Sequence, residues 1–129
     1  MIAIDTNVVV RLLVADNPAQ YKASVKLFST QDIYIADTVI LEAEWVLRAA
    51  YGLSAVDICK AFRQLFGLAN VTLSNGQLVA EVIDWHEAGL DFADAFHLAL
   101  SRDSESMKTF DKDFIKRAAA LTACVVEKC

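Results

Sequence analysis

The sequence has few of the residues that cross-link or break a chain. Its 129 residues include three cysteines, one proline and four glycines. The cysteines, Cys59, Cys124 and Cys129, form an odd set without a C-x-x-C spacing, which is typical of reduced thiols and excludes a disulfide-stapled mini-protein. The scarcity of glycine and proline, with 22% charged residues, excludes a disordered or fibrous chain.

Long apolar runs and an excess of basic residues are also absent. Asp, Arg, Asn or Glu interrupts every apolar stretch before the roughly 20 residues that a membrane span needs. The first five residues carry no basic segment and end in Asp5, so we expect no signal peptide and a cytoplasmic protein. Seventeen acidic against twelve basic residues give a net charge of -5, which argues mildly against a protein that grips nucleic acid through a positive surface.

What the sequence does have is apolar residues in regular patterns. A hydrophobic content of 56% is enough for one continuous core, so we expect a single domain over residues 1–129. Short apolar runs predict strands at 2–4, 33–36, 71–73, 107–110 and 123–126. Longer amphipathic segments between them predict helices that begin at Pro18, after a cap at Asp37 or Thr38, and after the caps Ser54 and Asp91; the helix after Ser54 is expected to end at Gly67. Because parallel neighbours need crossover connections, this alternation predicts an α/β fold: a three-layer α/β/α arrangement around a central, mostly parallel sheet.

The large apolar side chains of the predicted helices fall on particular faces. Tyr21, Val25 and Phe28 fall on one face of the helix that begins at Pro18. Trp45 and Trp85 have helical spacing to other apolar residues, which favours core packing over a platform for stacking bases.

Four acidic residues stand in apolar surroundings, which is unusual for carboxylates. They are Asp5, Glu42, Asp94 and Asp111. An unpaired buried carboxylate costs several kcal/mol, so each is expected to need a partner, a proton or a cation. The bases near them in sequence are few: Arg11, Arg48 and Lys108. A divalent metal meets this deficit, because Mg²⁺ and Mn²⁺ prefer hard oxygen ligands.

The positions of these acids suggest one shared site. Asp5 and Asp111 directly follow predicted strands, and the other two lie near the starts of helices. Ligands of α/β folds bind beyond the carboxyl ends of the strands, so we expect the four carboxylates to converge there. The alternative for each single acid is a helix cap or a surface ion pair.

Other residues near these acids keep two interpretations. Glu44 competes with Glu42, because two residues on a helix differ by about 200° and only one can face the site. Asp91 is either a further metal group or the N-cap of its helix, with the cap favoured. Three residues around the site either orient waters and carboxylates or make ordinary turn hydrogen bonds: Thr6, Asn7 and Thr109. His86 and His97 are interpreted as structural or supporting residues rather than as a catalytic base.

Four motifs in this order resemble a PIN domain, and the overall pattern is most similar to the VapC-type toxins of bacterial and archaeal toxin–antitoxin pairs. The motifs are IDTN (4–7), VILEAEWVLR (39–48), LDFADAFHLA (90–99) and TFD (109–111). The resemblance spans essentially the whole chain. It implies the α/β/α fold and a metal-dependent endoribonuclease whose acids fall on Asp5, Glu42, Asp94 and Asp111.

The resemblance also implies a mechanism and partners. One or two Mg²⁺ or Mn²⁺ ions would activate water to hydrolyse RNA, leaving a 5′-phosphate and a 3′-hydroxyl. A VapB-like antitoxin would mask the site, and the early helices would form a homodimer. A basic rim for RNA is a hypothesis, and it comprises Arg11, Lys108, Lys112, Lys116 and Arg117.

Two other functions compete with this interpretation. A phosphatase-like or receiver-like protein would form a phosphorylated aspartate. The phosphatase requires a second Asp at position 7, where Asn7 stands, and the receiver requires a pair of acids at the first strand. A PIN-like binding module without catalysis would have little reason to keep the full set of acids.

Overall fold

A computed structural model describes all residues from 1 to 129, and the chain divides into two compact units, Met1–Gly76 and Gln77–Cys129. Each unit consists of short strands and longer helices. The single domain expected over residues 1–129 stays a prediction. No helix combines the length and the apolar character needed to cross a bilayer.

The first unit is built on a three-stranded parallel sheet. Its elements in chain order are β1 (Ile2–Ala3), α1 (Thr6–Leu13), α2 (Pro18–Thr30), β2 (Ile33–Ile35), α3 (Asp37–Ala49), α4 (Ala55–Phe66) and β3 (Val71–Leu73). The strand order is β1-β2-β3, with Ile2 opposite Ile33 and Ile33 opposite Val71. The parallel pairing of an α/β fold is thereby confirmed, and the carboxyl ends of all three strands lie along one edge of this sheet.

Local signals in the sequence set the helix boundaries in this unit. Pro18 occupies the first turn of α2, and the side chain of Asn17 accepts a hydrogen bond from the Gln20 amide at 3.1 Å. The hydroxyl of Ser54 caps α4 by accepting from the Asp57 amide at 3.2 Å, and α4 ends at Gly67 as predicted.

The core of the first unit lies around its middle strand, where Ile33 and Ile35 are fully buried. The expectation that Trp45 belongs to the core is wrong, because Trp45 is 58% exposed. Tyr21 and Val25 of α2 are exposed as well. Which face of a helix is buried depends on the elements that pack against it. On α2 the buried positions are Ser24 and Phe28, which are four residues apart and lie on one face of the helix.

The second unit contains the last two strands, paired in parallel. Its elements are α5 (Gly76–Glu87), α6 (Phe92–Leu100), β4 (Met107–Thr109), α7 (Lys112–Leu121) and β5 (Val126–Lys128). Met107 lies opposite Val126. The last strand was expected at 123–126, and this is wrong by about three residues. The Thr122 hydroxyl accepts from the Cys124 amide at 3.1 Å, so the chain turns there before β5 begins.

Aromatic packing forms the core of the second unit. The ring of Phe92 meets His86 and Phe96 edge-on, at centroid distances of 5.2 and 5.8 Å. Trp85 is buried, as expected. The imidazole Nδ1 of His86 lies 2.7 Å from the carbonyl oxygen of Leu90, which confirms its structural role.

Candidate functional site

Asp5 lies where β1 ends and α1 begins. It occupies the N-cap position of α1, yet its carboxylate accepts no capping hydrogen bond. The side chain is exposed and makes no hydrogen bond or ion pair within the chain. The partial positive charge of a helix N-terminus stabilises a nearby anion. The carboxylate oxygens of Asp5 therefore remain available to a ligand.

Thr6 connects the end of β1 to α3. Its buried hydroxyl donates a hydrogen bond to Oε1 of Glu42, 36 residues away in sequence. This bond fixes the Glu42 carboxylate beside the start of α1 and leaves Oε2 available. The prediction that Thr6 orients a carboxylate agrees with this contact. Asn7, the next residue of α1, is exposed.

The two glutamates of α3 face opposite environments. Glu42 is exposed, whereas Glu44 is only 2% exposed and pairs with Arg48, with 2.9 Å from Arg48 Nε to Glu44 Oε2. Their rotation of about 200° on the helix explains why one is available and the other is not. The carboxylate of Glu44 is paired with the Arg48 guanidinium. Glu42 is therefore the glutamate of α3 that can take part in a site.

This difference predicts opposite phenotypes for two matched substitutions. Glu44→Gln is expected to lower the free energy of unfolding by about 1–3 kcal/mol, because it weakens a charge-assisted pair at a buried position. Glu42→Gln is expected to leave stability nearly unchanged and to reduce the nuclease activity that the sequence resemblance implies. Urea denaturation and a cleavage assay on both variants measure the two effects. If Glu42→Gln lowered the free energy of unfolding and Glu44→Gln did not, the assignment of Glu44 to the buried ion pair and of Glu42 to the site would be contradicted.

Three acidic residues lie together in the second unit. Asp91 is the N-cap of α6, where its Oδ2 accepts from the Asp94 amide at 3.1 Å, so the favoured capping role is confirmed. Asp111 is the N-cap of α7, and its Oδ1 accepts from the amides of Asp113 and Phe114. Only one Asp111 oxygen is used, so Oδ2 remains available. Capping thus fixes the orientation of this carboxylate without occupying it.

Thr109 precedes this cap and makes a turn hydrogen bond. Its hydroxyl accepts from the Asp111 amide at 3.0 Å. Of the two roles left open for Thr109, the structure shows the turn contact. The bond holds the backbone that presents the Asp111 carboxylate.

Asp94 carries the clearest electrostatic perturbation of the four candidate acids. Desolvation by partial burial raises its pKa above the ordinary value, and the negative charges of Asp91 and Asp111 raise it further. His97 acts in the opposite direction and lowers it. The negative charge of Asp94 is therefore disfavoured in the cation-free protein, which is the condition that a bound cation would relieve.

This pKa predicts that Asp94→Asn stabilises the cation-free protein at neutral pH. A carboxyl whose pKa is raised by folding favours the folded state below its unfolded pKa and loses that contribution as the pH rises through the folded value. Asparagine has no carboxyl group to ionise, so the variant does not lose stability in this way as the pH rises. Thermal unfolding in chelator, measured from pH 4 to 8, should show the variant gaining on the native chain as the pH rises. A constant difference across that range would contradict it.

The expectation that all four acids are buried in apolar surroundings is wrong. Asp5, Glu42 and Asp111 are exposed and Asp94 is partly buried. Ile4, next to Asp5, is buried, but Phe110, next to Asp111, is 80% exposed, so an apolar neighbour in the sequence does not by itself bury the acid. The case for a cation therefore rests on the unused carboxylate oxygens and, at Asp94, on partial burial together with the negative charges of Asp91 and Asp111.

Asp37 was considered only as a possible helix cap, and that expectation is wrong. Helix α3 begins at Asp37, and the N-cap is Ala36, which has no side-chain cap. One oxygen of Asp37, Oδ1, is buried without a hydrogen-bond partner. The residue follows β2 at the same sheet edge at which Asp5 follows β1. The rule that favoured Asp5 and Asp111, an acid directly after a strand, also applied to Asp37.

The donor set fits a hard divalent cation in its chemistry. Neither unit brings three or more His, Cys, Asp or Glu side chains into a cluster that could hold a metal. Mg²⁺ does not require such a cage, because it commonly binds through one or two carboxylates, waters and phosphates of a substrate. Glu42, oriented by Thr6, and the free carboxylate of Asp5 meet this requirement in the first unit.

Comparison with known proteins gives one family. The family model described as "PIN domain" matches residues 2–120. No curated protein matches the chain.

Proposed function

The chain belongs to the PIN domain family, and on this premise we propose that it is a Mg²⁺- or Mn²⁺-dependent endoribonuclease. PIN domains are typically metal-dependent nucleases, which makes the chain a hydrolase acting on nucleic acid. The proposal goes further in naming RNA as the substrate and these two metals as cofactors. The observation that carries it is the Asp5 carboxylate, held at a helix N-terminus directly after a strand with no partner of its own.

We propose Asp5, Glu42, Asp94 and Asp111 as the acids that hold the cation and act on the substrate. A bound divalent cation would supply Lewis-acid stabilisation of the negative charge that develops on the phosphate. The chain supplies oriented oxygens. Thr6 holds Glu42, and backbone amides hold Asp111 through one oxygen. Either of these two carboxylates can accept the proton of the attacking water. By the family resemblance, the products carry a 5′-phosphate and a 3′-hydroxyl.

The cofactor requirement gives the first test of this function. Incubation of the protein with a mixed-sequence RNA should yield internal cleavage in Mg²⁺ or Mn²⁺ and none in chelator. End-group analysis of the products should find 5′-phosphates. Cleavage that continues in chelator would contradict the proposal, as would a stable phosphorylated aspartate.

We propose a basic surface for RNA on α7 that is smaller than the five-residue rim expected from the sequence. Lys112 and Lys116 are exposed, stand one helical turn apart and make no ion pair within the chain. They follow Asp111, the N-cap of the same helix. Lys108, by contrast, pairs with Glu127. The two unpaired lysines are the members of the original rim that remain free to contact phosphates.

Neutralising both lysines should weaken RNA binding in a salt-dependent way. The double variant Lys112→Gln/Lys116→Gln is expected to reduce the slope of log affinity against log salt by about 1.4, since each single-strand phosphate contact contributes about 0.7. Fluorescence anisotropy titrations of a labelled RNA between about 50 and 200 mM salt measure this slope. Lys60→Gln on α4 is the control. An unchanged slope in the double variant would remove this surface.

We further propose that the protein is the toxin of a type II toxin–antitoxin pair and acts in the cytoplasm. A VapB-like antitoxin with a basic side chain would be attracted to the unpaired acids. The exposed apolar side chains of Tyr21, Val25 and Trp45 on α2 and α3 support a homodimer through the early helices. A short reading frame directly upstream of the gene would support the toxin role over a housekeeping nuclease.

A further inference from the structure

A cleft lies between α1 and α2 in the first unit, beginning two residues after Asp5. Its volume is about 260 Å³. It is lined by Asn7, Val8, Arg11, Gln20, Ala23 and Ser24. Apolar walls from Val8 and Ala23 face polar groups on the other side chains. The cleft is thus an amphipathic pocket whose lining begins two residues after a proposed catalytic carboxylate, on the helix that Asp5 starts.

Arg11 is held in one orientation at this cleft by three partners. Its Nη1 donates to Asp16 Oδ1 at 2.9 Å and to the Tyr51 hydroxyl at 2.8 Å. Its Nε donates to Gln20 Oε1 at 2.6 Å. The Tyr51 hydroxyl in turn donates to Asp16 Oδ2 at 2.9 Å, which closes the network. A guanidinium fixed in this way is preorganised for hydrogen bonding, because little conformational entropy remains to be lost.

The groups that this network leaves unused are hydrogen-bond donors. Arg11 Nη2 donates no hydrogen bond within the chain, and the Gln20 amide is used only through its oxygen. The Gln20 nitrogen and Arg11 Nη2 therefore present neighbouring N–H donors. Asp16 offsets the charge of Arg11. The cleft is consequently better suited to recognising hydrogen-bond acceptors on a flat base than to binding a phosphate by charge.

We propose that this cleft binds a guanine base of the RNA, next to the scissile phosphate; this inference rests on the proposed ribonuclease function. Guanine presents two adjacent acceptors, O6 and N7, on one edge, whereas adenine places an amino donor beside N7 and cytosine presents an amino donor. Single-stranded RNA can turn such a base out of the stack to expose this edge. The walls from Val8 and Ala23 contact the base face.

Binding in chelator tests the cleft independently of cleavage. The probes are two labelled heptanucleotides, AAAGAAA and AAAAAAA, measured by fluorescence anisotropy. The native chain is expected to bind the guanine-containing RNA about 5-fold or more tightly, the effect of one good base contact. Replacing guanine by 7-deazaguanine, which lacks the N7 acceptor, should reduce the preference. Equal affinities for AAAGAAA and AAAAAAA would overturn the proposal.

Three variants separate the cleft from its surroundings. Gln20→Glu keeps an acceptor for Arg11 Nε but removes the amide donors, so the guanine preference should disappear. Ala23→Leu fills the cleft and should abolish the preference. Ala19→Leu places the same bulk one turn earlier on α2, outside the cleft, and should retain it. A preference that persists in Ala23→Leu would overturn the proposal even where the native chain shows one.

Cleavage of the same RNAs distinguishes failure of the inference from failure of the function. With Mg²⁺ or Mn²⁺, the native chain should cut AAAGAAA within two nucleotides of the guanine and cut AAAAAAA more slowly. If neither RNA is cut, the ribonuclease function fails, while the binding preference in chelator still decides the cleft. If both are cut equally and bound equally, the function stands and the cleft has no role in selecting guanine.

Discussion

Asp5→Asn is expected to lower the rate of RNA cleavage by on the order of 10²- to 10³-fold while leaving the fold intact. Asparagine keeps the shape of the side chain but removes the charge, and charge stabilisation by a bound cation is worth several kcal/mol in the transition state. The fold is spared because the Asp5 carboxylate makes no capping hydrogen bond. Single-turnover cleavage at saturating Mg²⁺ and circular-dichroism melting measure the two properties.

Asp32→Asn is the matched control for this prediction. Asp32 is an exposed acid that precedes β2, at the opposite end of the same sheet, and its backbone oxygen accepts from the Ile2 amide at 2.8 Å. The substitution changes the net charge by the same amount, so it should leave cleavage at the native rate. Equal rates for native protein and Asp5→Asn would refute the role of this carboxylate.

Phe92→Ala is expected to lower the free energy of unfolding by about 3–5 kcal/mol. Phe92 is 1% exposed and contacts the rings of His86 and Phe96 edge-on. Truncation removes buried apolar surface and both aromatic contacts, and it leaves a cavity at the start of α6. Because Asp94 is two residues further along this helix, activity should also fall. Urea denaturation followed by far-ultraviolet circular dichroism gives the stability change.

Phe110→Ala makes the same chemical change at an exposed position. Phe110 is 80% exposed, so its truncation should change stability by no more than about 0.5 kcal/mol. A similar loss in both variants would show that the second unit does not depend on packing around Phe92.

The sequence predicted most elements because their signals are local. Asn17, Pro18 and Ser54 act within one turn of their own helix, and the structure uses them as predicted. The last strand was misplaced because Ala123 to Val126 is apolar enough for a strand, and only the turn hydrogen bond at Thr122 shows that it begins later. A local pattern does not include the register that the partner strand imposes.

The sequence predicted which residues belong to the candidate site, but it did not predict how exposed their side chains are. Their identities followed from acids placed after strands and from motif order. Their exposure did not follow, because apolar sequence neighbours were taken as a sign of burial. Asp37 was interpreted only as a helix cap, although it follows a strand as Asp5 and Asp111 do; the burial of its Oδ1 atom is a property of packing that the sequence does not show.

By itself, the sequence determined the α/β class, the parallel strands and the family, because periodicity, turn residues and motif spacing are written along the chain. The tertiary structure decided which side of α3 packs inward, and so that Glu44 is buried against Arg48 while Glu42 is held by Thr6. It also decided the shape and donors of the cleft at Arg11. The physical reason is that a helix pattern gives the angle between two side chains, whereas only contacts with distant residues choose which of them meets solvent.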